Sequence, residues 1–150
     1  GDFVDLMAQY HKAGVVHRDI RPDNIMEDWQ GKLYLIDWGF AMKFNLWNER
    51  PPNFEGTFRY ASEDVLNAAI NMAPYRPLPK DDLESFLKTV LAVNSGGHRL
   101  WRILSEIEQG DFVSAKNIWQ EEKQQHLNFF LSMFEAAAST DYETLMQLIH

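Results

Sequence analysis

The stretch His17-Arg18-Asp19-Ile20-Arg21-Pro22-Asp23-Asn24 packs carboxylates, guanidinium groups and an amide into eight positions, and Asp37-Trp38-Gly39 begins 13 residues after Asn24 (37 − 24). Between these polar stretches, Asn24-Ile25-Met26 and Leu33-Tyr34-Leu35-Ile36 flank Asp28-Trp29-Gln30-Gly31. Two short apolar runs around a turn-forming cluster predict a β-hairpin. A tight hairpin returns the chain to the end it left, so the loop before it and the loop after it meet. The chemistry open to Asp19, Arg21, Asn24 and Asp37 at such a meeting is phosphoryl transfer. That reaction needs a carboxylate at the incoming hydroxyl and magnesium ligands bridging the phosphates, gathered within a few ångströms.

The elements that must position these loops read as mostly helical. Phe3, Leu6, Met7 and Tyr10 fall at helical spacing and the run closes on Gly14, which predicts an amphipathic helix ending at a glycine cap and starting mid-domain. Val15-Val16 then leads into the polar loop. Residues 37–61 carry Pro51-Pro52, Asn45, Asn48, Asn53 and Gly56 without sustained periodicity and predict one long loop. Ser62 is a good N-cap with Glu63 and Asp64 in the first turn, and Ala73-Pro74 marks that helix's end. Another helix should follow Pro79, beginning near Asp81. Further helices are expected over 98–109 and 112–138, the second broken once. Thr140 with Glu143 three residues on predicts a capping box for a last helix through Leu148. Trp101, Ile118 and Phe129 are assigned to the core.

At 150 residues, 45% hydrophobic and 13% aromatic, the chain can bury one core and is too short for two ordinary domains. Residues 1–150 are therefore expected to form one compact domain, folded throughout. With no cysteine there is no disulfide or thiolate metal site, and a reducing compartment, cytoplasmic or nuclear, is expected. A net charge of −8 without a basic cluster argues against nucleic-acid binding. No apolar run approaches the ~18 residues needed to span a bilayer, and no basic segment precedes an apolar one at the N-terminus, so a soluble chain without a membrane partner is expected.

Taken jointly, these residues resemble a eukaryotic-type protein kinase. His17 to Asn24 match H-R-D-x-x-x-x-N, and Asp37-Trp38-Gly39 is similar to the metal-binding D-F-G with Trp in the Phe place. The resemblance implies the C-terminal lobe of such a kinase: a mainly α fold, a helical bundle with a small β-hairpin carrying the catalytic and metal-binding loops. It implies ATP and Mg²⁺ as cofactors and a protein hydroxyl as substrate. Carried over residue by residue, Asp19 would orient the hydroxyl and accept its proton, and Asn24 and Asp37 would ligate Mg²⁺. Arg21 stands where serine/threonine members usually place a lysine that neutralises the transferring phosphate. Met26 would form part of the nucleotide's floor, and His17 would be a packing residue supporting Trp38 and the loop backbone.

Gly56-Thr57-Phe58-Arg59-Tyr60-Ala61-Ser62-Glu63 and Asp81-Asp82-Leu83-Glu84-Ser85 resemble the G-T-x-R-Y-A-S and D-D-L-E-S segments of casein-kinase-one-like and vaccinia-related-kinase-like serine/threonine kinases. Some fungal-type kinases share the second. Asp141-Tyr142-Glu143-Thr144-Leu145 is similar to the last helix of the casein-kinase-one-like enzymes. The first two segments imply a peptide-docking ledge. In that pattern Thr57 would hydrogen-bond toward Asp19 and Arg21 and tie the ledge to the catalytic loop. Asp82 would accept backbone N–H bonds from His17-Arg18, a role compatible with an N-cap. Glu63 matches the Glu of A-P-E; Arg99 and Arg102 are candidates for its arginine partner, and a helix-dipole role is the alternative.

Arg18 marks kinases that often use an activation-loop phosphate as its counter-ion, yet no Ser, Thr or Tyr lies between Gly39 and Gly56. Glu49 or Glu55 is expected to pair with Arg18 and keep the loop ordered without phosphorylation. No glycine-rich loop or strand lysine precedes His17. The expectation is a lobe that lacks the N-terminal kinase lobe, is inactive alone, and self-associates through an exposed face around Met26 and Trp38. Two alternatives stay open beside the serine/threonine kinase. One is a non-catalytic, pseudokinase-like scaffold, favoured by Arg21, Trp38 and the missing lobe. The other is a small-molecule phosphotransferase of the choline or aminoglycoside type, which shares H-x-D-x-x-x-x-N and an Ile-Asp-Trp strand end but needs no peptide ledge.

Overall fold

The computed structural model describes residues 2–45 and 51–149, without the side chains of residues 2 and 127–130. In chain order the elements are α1 (Asp2–Lys12), β1 (Val15–Val16), β2 (Ile25–Glu27), β3 (Leu33–Leu35), β4 (Met42–Lys43), α2 (Glu63–Ile70), α3 (Pro79–Asn94), α4 (Arg99–Ser105), α5 (Phe112–Gln125), α6 (Leu127–Ala138) and α7 (Tyr142–Ile149). Single 3₁₀ turns lie at Pro22–Asn24 and Gly96–His98. The architecture is the mainly helical lobe with a small hairpin that the resemblance implies. None of the described helices is long and apolar enough to cross a membrane.

The helix α3 organises the rest. It starts at Pro79, whose fixed φ suits a first helical position and whose missing N–H would be unsatisfied there anyway. Asp81 Oδ2 accepts the Leu78 N–H at 2.8 Å, so the helix begins two residues earlier than Asp81. Leu83, Phe86 and Leu87 face a first core with Phe3, Val4 and Met7 of α1, Ile20, Leu35, Phe134 and Leu145. Ala92 joins a second core with Phe58, Tyr60, Leu66, Leu100, Leu104 and Trp119. Leu91 packs against both. The stacked rings of Phe3 and Phe86, 4.6 Å apart, join α1 to α3.

The hairpin pairs Ile25 with Leu35, Met26 with Tyr34 and Glu27 with Leu33. Asp28 closes its turn by accepting the N–H groups of Gln30 and Lys32, and Gly31 adopts φ 84°. The long loop expected over 37–61 is interrupted by β4, which pairs antiparallel with β1, Val15 opposite Lys43 and Val16 opposite Met42. Two residues are too few to show an alternation in the sequence.

Ser62 caps α2 as expected, its hydroxyl accepting the Val65 N–H at 3.2 Å. The helix expected over 98–109 is confined to Arg99–Ser105, and the 112–138 segment breaks at His126. Trp101 and Ile118 pack half-buried against the second core, while the Phe129 side chain lies outside the described residues. The cap of α7 differs from the Thr140–Glu143 box. Asp141 Oδ1 accepts the Thr144 N–H at 3.1 Å, and Thr140 instead takes φ 56° in the turn before it. An aspartate one position later satisfies the same end N–H groups, so the box is not needed.

Leu83 has no exposed surface and lies between Asp82 and Glu84, both of which reach other segments. Leu83→Ala should cost about 3 kcal/mol through lost burial and the cavity left behind, read as a lower midpoint in urea denaturation.

Candidate active site

Loops carry backbone N–H groups that a buried site must satisfy, and here one carboxylate does so. Asp82 on α3 accepts the His17 N–H at 2.8 Å and the Arg18 N–H at 3.1 Å. That is the role the resemblance implies; Asp82 lies inside the first turn of α3 and not at its N-cap. Arg18 has φ 72°, a left-handed conformation costly for a side-chain-bearing residue, and these bonds hold it there. A second layer, without a motif of its own, lies behind these bonds. His11 Nε2 lies 2.9 Å from Asp82 Oδ2, His11 Nδ1 lies 2.7 Å from the Tyr142 hydroxyl, and Tyr10 donates to Asp82 at 3.2 Å. His11 follows Met7 by four positions on the buried face of α1, the one signal that could have marked it.

The loop so held presents Asp19, which is only 3% exposed. Asn24 Nδ2 donates both to the Asp19 carbonyl at 2.8 Å and to its Oδ2 at 2.9 Å. The Nε of Arg21 stands 3.7 Å from Asp19 Oδ1 and, although buried, has no hydrogen-bond partner among the described residues. Burial pushes the Asp19 carboxyl above the ordinary range; Arg21, the Asn24 bond and His17 pull it down, and Asp37 adds to the rise. Asp19 and Asp37 therefore share one electrostatic neighbourhood, as a hairpin joining their loops requires.

His17 is fully buried and structural. Its Nδ1 accepts the Asp19 N–H at 3.0 Å, which assigns the ring proton to Nε2, and Nε2 donates to the Ile36 carbonyl at 2.9 Å. The ring meets Trp38 edge-on with centroids 4.7 Å apart, and Tyr10 meets the same indole at 5.0 Å. Trp38 Nε1 donates to the Leu35 carbonyl at 3.1 Å, a bond no phenylalanine could make. Asp37 takes φ 58° and its Oδ1 accepts the Gly39 N–H at 3.3 Å. Met26 is 53% exposed and Trp38 40%, and Ile36 and Phe40 are exposed as well, apolar side chains open to solvent on the hairpin and the loop after it.

The ledge segment meets the catalytic loop through backbone. Gly56 has φ 101°, and a Cβ there would stand 2.2 Å from the Arg18 carbonyl oxygen, so only glycine fits. Thr57 is buried and its N–H donates to the Arg18 carbonyl at 3.4 Å. Its hydroxyl bonds neither Asp19 nor Arg21 among the described residues; the tie expected from the side chain is made by the main chain. Arg18 donates through Nε to the Phe40 carbonyl at 2.7 Å and reaches Glu55 at 3.4 Å. Glu55 is thus the acidic partner, while Glu49 lies outside the described residues. Glu63 accepts from Gln120 at 3.0 Å and pairs with neither arginine candidate; Arg99 pairs with Glu122.

Among the described residues no group of three or more acidic or histidine side chains could by itself hold a metal. A magnesium site completed by phosphates and water does not need one. The donors present fit such an ion. The Asn24 amide nitrogen is used on Asp19, and its oxygen accepts no hydrogen bond among the described residues. The Asp37 carboxylate is exposed with only one backbone N–H on it.

Residues 3–78 match the model of the protein kinase domain, just over half of the chain. The chain belongs to the protein kinase family. It is 28% identical over 134 residues to a probable serine/threonine-protein kinase of Dictyostelium discoideum, covering 87% of this chain and 20% of that protein. It is 38% identical over 94 residues to a probable casein kinase I homolog of Encephalitozoon cuniculi, covering 55% and 28% respectively. A casein kinase 1-like protein of Oryza sativa is 31% identical over 106 residues, covering 62% and 14%. The chain thus spans less than a third of the length of each of these relatives. By family it is a serine/threonine-type kinase sequence, in agreement with the two motifs and the ledge segments.

Two outcomes follow from the site's geometry. Asp82→Ala removes the acceptor of the His17 and Arg18 N–H groups and the partner of His11 Nε2 in the interior and should cost about 3–5 kcal/mol; hydrogen exchange at those amides should accelerate with it. Asp19→Asn should stabilise the protein at pH 7. A carboxyl whose folded pKa is raised contributes stability while protonated and loses it as pH rises through that pKa. The variant's advantage should therefore shrink as pH falls from 7 toward the ordinary carboxyl range and be gone below about 4, checked by urea denaturation at both ends.

Proposed function

We propose that this chain is the C-terminal lobe of a protein serine/threonine kinase that transfers the γ-phosphate of ATP to a protein hydroxyl. The observation that carries the proposal is the Asp19–Asn24 pair. One amide nitrogen holds both the Asp19 carbonyl and its carboxylate, and Asp37, exposed on the loop after the hairpin, acts electrostatically on that same carboxylate.

Asp19 is the group for the incoming hydroxyl. With Oδ2 fixed by Asn24 and Oδ1 beside Arg21, the carboxylate cannot swing, so a hydroxyl bonded to it is aimed rather than merely bound. In a loose transition state the proton leaves late, and aim matters more than basicity. Arg21, with an unbonded Nε facing Asp19, is suited to balance charge on the transferring phosphate, in the place where the family usually has lysine. Asn24 and Asp37 would hold Mg²⁺, which with ATP supplies the phosphoryl group and neutralises charge between the phosphates. Met26 would lie under the nucleotide. The segment Gly56–Ser62 would receive the peptide. Its attachment to the catalytic loop favours a protein substrate over a small molecule, and the retained Asp19, Asn24 and Asp37 favour catalysis over a scaffold.

Taken by itself, the 150-residue chain offers ATP a floor and no roof, and positioning is worth several kcal/mol of barrier in such reactions. The exposed apolar side chains of Met26, Ile36, Trp38 and Phe40 also suit a covering partner, either an N-terminal kinase lobe or a second copy.

With radiolabelled ATP and a protein substrate, the complete protein should transfer phosphate. Asp19→Asn should lower kcat about a thousandfold while leaving the fold at least as stable. The 150-residue chain alone should show no turnover and should sediment as a self-associating species. Undiminished transfer by the Asp19→Asn protein would overturn the assignment.

A further inference from the structure

Lys88 heads the largest fully buried side chains among the described residues, 1% exposed, and nothing in the chemistry above uses it. Its ammonium donates to the Ala61 carbonyl at 2.6 Å, stands 3.1 Å from Glu84 Oε2, and lies 5.3 Å from the centre of the Trp119 ring. Burial lowers its pKa, while Glu84 supports the charged form. A buried ammonium is costly, and an apolar side chain of similar length could fill the space without that cost. What the ammonium adds is a donor aimed at one backbone carbonyl.

That carbonyl belongs to a segment pinned residue by residue. Asp81 accepts from the Ser62 hydroxyl at 2.6 Å, Glu84 accepts the Glu63 N–H at 2.7 Å, and Lys88 holds Ala61. Positions 81, 84 and 88 fall on one stripe of α3, so three consecutive residues of the ledge hang from one face of one helix. Beside Lys88, Trp119 Nε1 donates to the Arg59 carbonyl at 2.7 Å. Asp82, one position round from Asp81, holds the catalytic loop. A single rigid helix thereby fixes the offset between Asp19 and the segment Gly56–Ser62. The arginine partner implied for Glu63 is absent from this arrangement, since Glu63 bonds Gln120.

We infer that Lys88, paired with Glu84, is a positioning residue for the protein substrate: through the Ala61 carbonyl it sets the ledge at the height where a bound peptide presents its hydroxyl to Asp19. The inference rests on the kinase reading above and goes beyond it in naming what aligns the substrate.

The test uses the complete protein, with peptide and ATP titrated separately. Lys88→Met removes the donor but strands Glu84, and so lowers Tm. The double variant Glu84→Gln with Lys88→Met is neutral and keeps an acceptor for the Glu63 N–H, so it should recover much of that Tm even if the single variant folds poorly. In both, the KM for peptide should rise about tenfold, the scale of one lost charged hydrogen bond, with the KM for ATP unchanged. A peptide KM that returns to the wild-type value together with Tm in the double variant would show Lys88 to be merely structural and overturn the inference. So would equal changes in both KM values. Absence of phosphate transfer by the wild-type protein would instead sink the kinase reading, and this inference with it.

Discussion

One carboxylate fixes the geometry on which the site depends. The catalytic loop has no strand or helix ladder to satisfy its main chain, and Arg18 sits in a left-handed conformation. Asp82 supplies both missing acceptors from inside α3. Because α3 is also the wall between the two cores, moving that carboxylate would mean shifting packed side chains on both sides. Interiors at near-crystalline density resist such shifts. The loop therefore inherits the rigidity of the core without containing regular structure itself. His11 and Tyr142 extend the same restraint to α1 and α7, the two ends of the described chain.

The site spends stability for this geometry. Asp19 is held in a place where burial disfavours its charge, and Asp37 occupies a positive φ. Lys88 is a charge in the deep interior. Such features cost free energy that the surrounding packing must offset, and they cluster where function requires a fixed arrangement. Trp38 shows how the offset can be local: its indole packs on His17 and Tyr10 and bonds back to Leu35, anchoring the turn that carries Asp37.

What was legible in the sequence were features with short-range signatures. The hairpin could be read because Asp28 to Gly31 makes its own turn, and α2 because Ser62 caps it one helical turn away. The role of Asp82 came from the family resemblance and not from spacing. The reach of His11 to Asp82, across 71 positions, and of Lys88 to Ala61, across 27, has no local signature, since partners that distant meet only once the cores have formed. Thr57 shows the opposite failure. A hydroxyl invites a side-chain role, but the close approach at Gly56 brings the main chain near enough to make the bond itself. At α7 the capping-box pattern pointed to Thr140, and the cap is made by Asp141, one position later.

The described parts of the segment between Gly39 and Gly56, residues 39–45 and 51–56, are held without the switch that the motif suggests. Arg18 reaches Glu55, but that carboxylate is largely exposed, and exposed pairs are worth only about 0–1 kcal/mol. Stronger restraints lie to either side. The Arg18 guanidinium is already fixed by the Phe40 carbonyl, and β4 is paired to β1. Phe54 packs edge-on against Phe112 at 5.0 Å, and Gly56 comes so close to Arg18 that no other residue fits. A phosphate on such a loop would add charge to a segment already held by backbone bonds and aromatic packing, and a segment with no hydroxyl between Gly39 and Gly56 has none to accept it. Glu55 is then a neutralising neighbour for Arg18, and the packing around it is what holds the described residues on either side.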